Sequence, residues 1–392
     1  MKKNSYRNFY FLLLFVCLAG LSGSIVYFFF SLASATQLSN SVANGAVPTA
    51  TLPPGTAIPS GSQRKACASL TQSGFEGGIV LPRWSNKAYG GNDVDWLKEL
   101  PQMRTQTSAC WVEMPVLFQQ TTLTSTDLAT GPSTPTIASF AYGIRYAHAQ
   151  GLHTFVSLLV SVTSGAEHWV GQVKLSTFAQ QQQWFANYWQ TIKPYVVAAQ
   201  QAGVEQLAIG TEIQWLEDNA PATLWNNLIA QVHSVFSGNL TYDVNWSALS
   251  EPPLKWMNNP LLKMIGISAY VPVIKTSTRV DPQQMPALWA SKVKTLIDHY
   301  STQLGTPVFI SEVGYRNTLD AFFQPWQPTS SVAADPQEQQ GACGAVLQNV
   351  LTDPHVQGSF FWAWDGAGKL NLKDSIAAQT IQHYYQSLST PA

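Results

Sequence analysis

Gln206-Leu207-Ala208-Ile209-Gly210-Thr211-Glu212 is the stretch that decides the fold. A short apolar run of this kind reads as a buried parallel strand, and here a lone glutamate closes it. A carboxylate in that place is costly unless a site requires it. The pattern recurs in Pro307-Val308-Phe309-Ile310-Ser311-Glu312, followed by Val313-Gly314-Tyr315. Working outward, apolar runs stand at 76–82, 108–116, 153–160, 206–212, 240–246, 264–271, 307–313 and 357–364. Helix-like segments fall between most of them, at 93–103, 137–150, 177–202, 222–236, 284–304, 336–351 and 375–387. Pro221 looks like a helix start, and Gly151 and Gly203 look like helix stops that each precede a strand. Strand and helix in alternation imply an α/β fold with a parallel sheet, and eight strands over this length favour a closed (β/α)8 TIM barrel. The connection between the fifth and sixth strands, with Leu254-Lys255-Trp256-Met257, shows no long helix, which leaves an open doubly wound sheet as the alternative.

Barrels of this kind place their chemistry at the C-terminal ends of the strands. Glu212 ends the fourth strand and Glu312 the seventh. Strict alternation puts 208, 210 and 212 on one face, and likewise 308, 310 and 312. An ordinary strand-end glutamate pairs with a lysine or arginine, and one alone would carry no more than that. Two at matching ends of different strands fit the acid/base and nucleophile of glycoside hydrolysis, with the carboxyl groups about 5–5.5 Å apart if configuration is retained.

Around them the expected substrate contacts are Tyr270, at the end of the sixth strand, and Asn245, at the end of the fifth. The tyrosine hydroxyl would hold the nucleophile ionised, and the asparagine amide would bond a sugar hydroxyl. Trp362 and Trp364 close the eighth strand, and one of them is expected to floor the sugar site. Trp84 after the first strand, and Glu113 and Gln119 on the second, are weaker candidates, while Trp184, Trp189 and Trp225 lie in helical segments and read as packing. His148 and His153 read as structural.

Charged residues make up 11% of the 392-residue chain against about 25% in typical soluble proteins, and the formal net charge is −1. No basic run appears, which argues against nucleic acid as a partner. The polar surface is therefore Gln, Ser, Thr and Asn, which keeps its character in acid. The sequence contains no phosphate-binding P-loop, HExxH zinc helix or G-x-S-x-G elbow, and Gly74-Phe75-Glu76-Gly77-Gly78 is not a dinucleotide fingerprint. No metal and no cofactor is expected. Residues 9–32 are almost wholly apolar and follow Lys2, Lys3 and Arg7, so residues 1–35 read as a transmembrane signal anchor or, with Ala33-Ser34-Ala35 as cleavage site, a signal peptide. Residues 36–66, rich in Ser, Thr, Pro and Gly, read as a flexible linker, which leaves 67–392 as the catalytic domain. The expected location is the extracellular face of the membrane, or secreted. Of Cys17, Cys67, Cys110 and Cys343, the expected disulfide joins Cys67 to Cys110 in that oxidising setting.

With these residues in view, the chain resembles the retaining clan A glycoside hydrolases, and within them glycoside hydrolase family 113, known for endo-β-1,4-mannanases. The resemblance runs through Val112–Gln119, Tyr146–Leu152, Ile209–Glu212, Leu240–Trp246 and Ser311–Arg316. It implies Glu212 as acid/base and Glu312 as nucleophile, Tyr270 and a strand-eight tryptophan in support, and a polysaccharide or oligosaccharide as substrate. One departure is Thr211, where most of the clan has an asparagine that contacts the sugar 2-hydroxyl. A non-catalytic surface carbohydrate-binding module and a transglycosylase are the alternatives to hydrolysis.

Overall fold

The 206–212 strand occupies one of eight places in a closed parallel barrel, in a computed structural model that describes residues 74–164 and 169–388. The strands are β1 (Glu76–Val80), β2 (Trp111–Gln120), β3 (His153–Val162), β4 (Gln206–Thr211), β5 (Asn239–Asn245), β6 (Leu262–Ser268), β7 (Val308–Val313) and β8 (Val356–Phe361). They pair in sequence order, and β8 closes on β1. The outer ring is α1 (Val94–Thr107), α2 (Ile137–Ala149), α3 (Phe178–Ala202), α4 (Gln214–Asn219), α5 (Ala222–His233), α6 (Met285–Trp289), α7 (Thr295–Leu304), α8 (Pro336–Val350) and α9 (Ile376–Ser387). The expected TIM barrel is present. Two short 3-10 turns, Trp246–Ser250 and Lys255–Asn258, take the place of a helix between β5 and β6.

Local chemistry sets the helix limits. Thr177 and Gln180 form a reciprocal capping box at the start of α3, and Gly203 ends that helix at φ 84°, a conformation glycine adopts without steric cost. Asp93 and Asp335 accept backbone N–H bonds at the starts of α1 and α8. Inside the barrel, Trp111, Phe155, Met264, Phe309 and Phe360 close the lower layer around the small Ala208. Gly78 is required there, because a Cβ would overlap the Phe360 ring. A larger apolar layer lies between strands and helices, where Trp184, Trp189 and Trp225 are buried as expected. His148 and His153 both bond Glu205, at 3.1 and 3.2 Å, and so serve structure.

The segment from Gly314 to Ala334, between β7 and α8, wraps around a buried guanidinium. Arg316 donates to the carbonyls of Asp320, Phe323, Gln324 and Gln327. This fixed loop brings Trp326 to stack on Trp246 at 5.7 Å.

The apolar Phe9–Leu32 stretch, the 36–66 linker and Cys67 lie outside the described residues. Among those described, no helix is long and apolar enough to cross a membrane. Cys110 is disulfide-bonded, and Cys343 is free and buried.

Candidate active site

Simple alternation does not aim the two glutamates into the barrel. On β7, Val308, Ile310 and Val313 face the helices and Phe309 faces the interior. Strict parity would therefore send Glu312 outward with Val308 and Ile310. The register of β7 against β8 shifts between Ile310 and Val313, and against β6 between Gly266 and Ser268, and this turns Glu312 inward. On β4, Ala208 faces inward, but a Cβ on Gly210 would meet Tyr188 and Tyr242 on the helix side. A shift between Ala208 and Thr211 inserts one residue opposite β5. The expected shared faces for 208, 210 and 212 and for 308, 310 and 312 are thus corrected: bulges re-aim both side chains, a common device beside active sites.

Glu212 lies one residue past β4 with φ 54°. A non-glycine residue in that region costs about 1–3 kcal/mol and persists only where its surroundings enforce it. Here its N–H donates to the Asp243 carbonyl at 2.8 Å, and the next N–H, from Ile213, donates to the Tyr242 hydroxyl at 3.1 Å. Tyr242 in turn donates to Glu217 at 2.6 Å.

The two carboxyl groups are brought together by strand register. Ser268 pairs with Glu312 on one side and with Asn245 on the other. The side chains of Asn245 and Ser268 both face Glu212, although the Ser268 hydroxyl completes no bond of good geometry. Burial pushes the Glu212 carboxyl up, opposed by the Trp169 indole N–H, which donates to Oε2 at 2.6 Å, and by Asn245 and Ser268. Burial also pushes Glu312 up, and the charge of Glu212 adds to this. The Tyr270 hydroxyl, donating at 3.1 Å to Glu312 Oε2, works the other way. Like charges this close ionise as a pair rather than singly.

Below the pair lie two more acids. Glu113 on β2 is fully buried and accepts from Ser157. Asp243 on β5 is 1% exposed and faces the Thr211 hydroxyl at 3.4 Å. Burial and then the charge of Glu312 raise both well above the usual carboxylate range.

The structure brings Glu212, Glu312, Tyr270 and Asn245 to one place. Asn245 also accepts from the Ser247 N–H at 3.0 Å and caps the turn that follows. Thr211 is buried against Asp243. Trp364 is corrected: β8 stops at Phe361, so 362 and 364 do not alternate as strand residues. The Trp364 ring is fully buried in the outer layer and donates to Glu99 at 3.0 Å. Trp362 instead packs on the barrel's inner cluster. Trp84 is 40% exposed on the segment between β1 and α1. Gln119 packs beside Gly131, and its backbone bridges to Ala129. The sequence pattern does not mark Trp169 or Asp243. The signal for Trp169 was its place, an aromatic on the connection after β3 at the barrel's catalytic end.

A closed (β/α)8 barrel with paired, half-buried carboxyl groups at its C-terminal mouth defines the class: this is a glycoside hydrolase of the clan A type. The chain belongs to Glycoside Hydrolase Family 113, which it matches over residues 86–386. A GH113 β-1,4-mannanase shares the fold at TM-score 0.68 and 20% identity, over 80% of this chain and 99% of that one. The GH113 β-mannanase AaManA from Alicyclobacillus acidocaldarius, in complex with ManMIm, gives 0.63 and 19% over 80% and 98%. A β-glucuronidase from Ruminococcus gnavus gives 0.54 and 12% over 79% of this chain and 50% of that one. Comparison with curated proteins gave no match.

Proposed function

We propose that this enzyme cleaves β-1,4-linked mannan within the chain, with retention of configuration, using Glu312 as nucleophile and Glu212 as acid/base. The observation that carries this is the coupled pair at the barrel mouth, each member held by its own donor, Tyr270 or Trp169. Family membership supports the substrate class, and the likeness to GH113 β-1,4-mannanases supports mannan. Because each charge opposes the other, the resting pair keeps one proton. The Glu312 carboxylate attacks the anomeric carbon as the bond to the departing sugar oxygen breaks, and Glu212 gives that oxygen its proton. Once Glu312 is an ester its charge is gone, and the Glu212 pKa falls. Glu212 then takes a proton from water as the water oxygen attacks the anomeric carbon and frees Glu312. Trp362, on the inner cluster, serves as the apolar floor for the sugar. The basic start and apolar stretch of the chain support work outside the cell, anchored or secreted, and recovery of the full chain from the cytosol would refute that location.

The test is hydrolysis of mannan with the stereochemistry of the first product recorded by NMR, for the parent enzyme and for Glu312→Ala. Retention, and loss of turnover in the variant, are expected. An inverted product, or full-rate cleavage by the variant, rejects the assignment.

A further inference from the structure

We infer that Trp169 is a positioning residue for the acid/base, and that its indole N–H on Glu212 Oε2 reserves Oε1 as the oxygen that delivers the proton to the departing sugar. The inference rests on the reading of Glu212 given above. An indole N–H only donates, so the oxygen it meets must accept. In a neutral carboxyl the carbonyl oxygen is the better acceptor, so a donor held on Oε2 leaves the proton to Oε1. The contact is 2.6 Å long, and the ring is 37% exposed, so it closes one side of the carboxyl at the solvent face of the site.

The indole is held where it is by its own loop. The turn Val170–Gln172 follows it and packs against α4, the helix that begins two residues after Glu212. A Cβ on Gly171 would overlap the six-membered ring of Trp169, so only glycine lets the indole lie in this position. The ionisable groups that bear on Glu212 are Glu312 from β7, Asp243 from β5, Tyr270 after β6 and Glu217 from α4. All four are acids or a phenol. The Trp169 N–H, with the Asn245 amide and the Ser268 hydroxyl, is what favours the ionised form of Glu212 against them.

Two effects follow from removing the N–H while keeping an aromatic ring. The Glu212 pKa rises, and the proton is no longer confined to one oxygen. For Trp169→Phe the alkaline limb of kcat/KM should move up by about 1 pH unit. Turnover of a mannan oligosaccharide, whose leaving sugar needs a proton, should fall about tenfold or more. Turnover of a dinitrophenyl β-mannobioside, whose leaving group departs as an anion, should change little in the glycosylation step. Gly171→Ala keeps Trp169 but displaces its ring, and should give the same shift in the limb. An unmoved alkaline limb in both variants, or equal losses on the two substrates, overturns the inference.

The same substrates separate this from failure of the underlying reading. Glu212→Ala with the dinitrophenyl substrate and added azide should yield a β-glycosyl azide, in which nitrogen replaces the Glu312 ester oxygen at the anomeric carbon. Absence of azide rescue removes Glu212 as acid/base, whatever Trp169 does.

Discussion

Tyr270 and Trp169 set the two carboxyl groups apart. The Tyr270 hydroxyl donates to Glu312, and a bond to the charged form stabilises that form. Without it the carboxyl of Glu312 ionises at higher pH. Tyr270→Phe should therefore move the acid limb of kcat/KM upward and lower kcat by about 10- to 100-fold, the range for one hydrogen bond to a charged group. A pH–rate profile of the pure variant checks this, and an acid limb that stays in place would show that the tyrosine only fills space. The backbone of Glu212 makes the matching point for the acid/base. Its positive φ is locked by the Asp243 carbonyl and the Tyr242 hydroxyl, so the carboxyl is aimed before any substrate arrives.

At the scale of the element, the barrel mouth is shaped by bulges and close backbone approach. Gly314 follows β7 where the Trp362 carbonyl comes against it, and a Cβ there would press on backbone that has nowhere to move. The Trp362 N–H also bonds the Val313 carbonyl at 2.8 Å, tying the end of β7 to the residue after β8. Gly314→Ala should cost about 1–3 kcal/mol, as overpacking does, measured by denaturant unfolding. Its loss in kcat should be larger than that stability loss implies, because Glu312 lies only two residues away and small misplacements of reacting groups are expensive. A variant that is less stable but fully active would contradict this. The same features explain what the sequence discloses. Eight strands and their ending glutamates are legible, because apolar runs and helix stops at Gly151 and Gly203 are local signals. The bulges are not, since a one-residue register shift depends on the neighbouring strand, and the alternation rule fails at Glu212 and Glu312 for that reason. Trp364 misleads for a related cause: β8 ends three residues early, so its apparent partner Trp362 alone reaches the barrel interior. Trp169 stays hidden in the sequence because no period marks a loop.

Over the whole molecule, the balance of buried acids sets the response to pH. Charged residues are few, and the Gln, Ser, Thr and Asn surface does not titrate, so buried carboxyls dominate. Burial raises Glu76 to about 8 against the bond from Gln206, and Glu217 to about 8 against the bond from Tyr242. Burial likewise raises Glu338 to about 7, against the Val280 N–H. Burial and then the charge of Glu312 raise Glu113 and Asp243 as well. A carboxyl with a raised folded pKa favours the fold fully below its unfolded value of 4.5, and that contribution is lost as pH climbs to the folded value. Glu205 acts in the opposite sense. Burial alone would raise it, but bonds from His148, His153 and Thr154 overcome this and hold it low, so its contribution is lost as pH falls below the unfolded value. The two trends leave a maximum on the acid side. The melting temperature should peak near pH 5 and fall by roughly 5 °C or more by pH 8, as a loss of a few kcal/mol produces in a domain of this size. Thermal scans across pH 4–8 check the sign, and Glu76→Gln should flatten the alkaline slope by removing one of the titrating groups. A melting temperature that rises from pH 5 to pH 8 would mean that these carboxyls already ionise at their ordinary pKa in the folded protein, and the barrel interior would then have to be wetter than its packing shows.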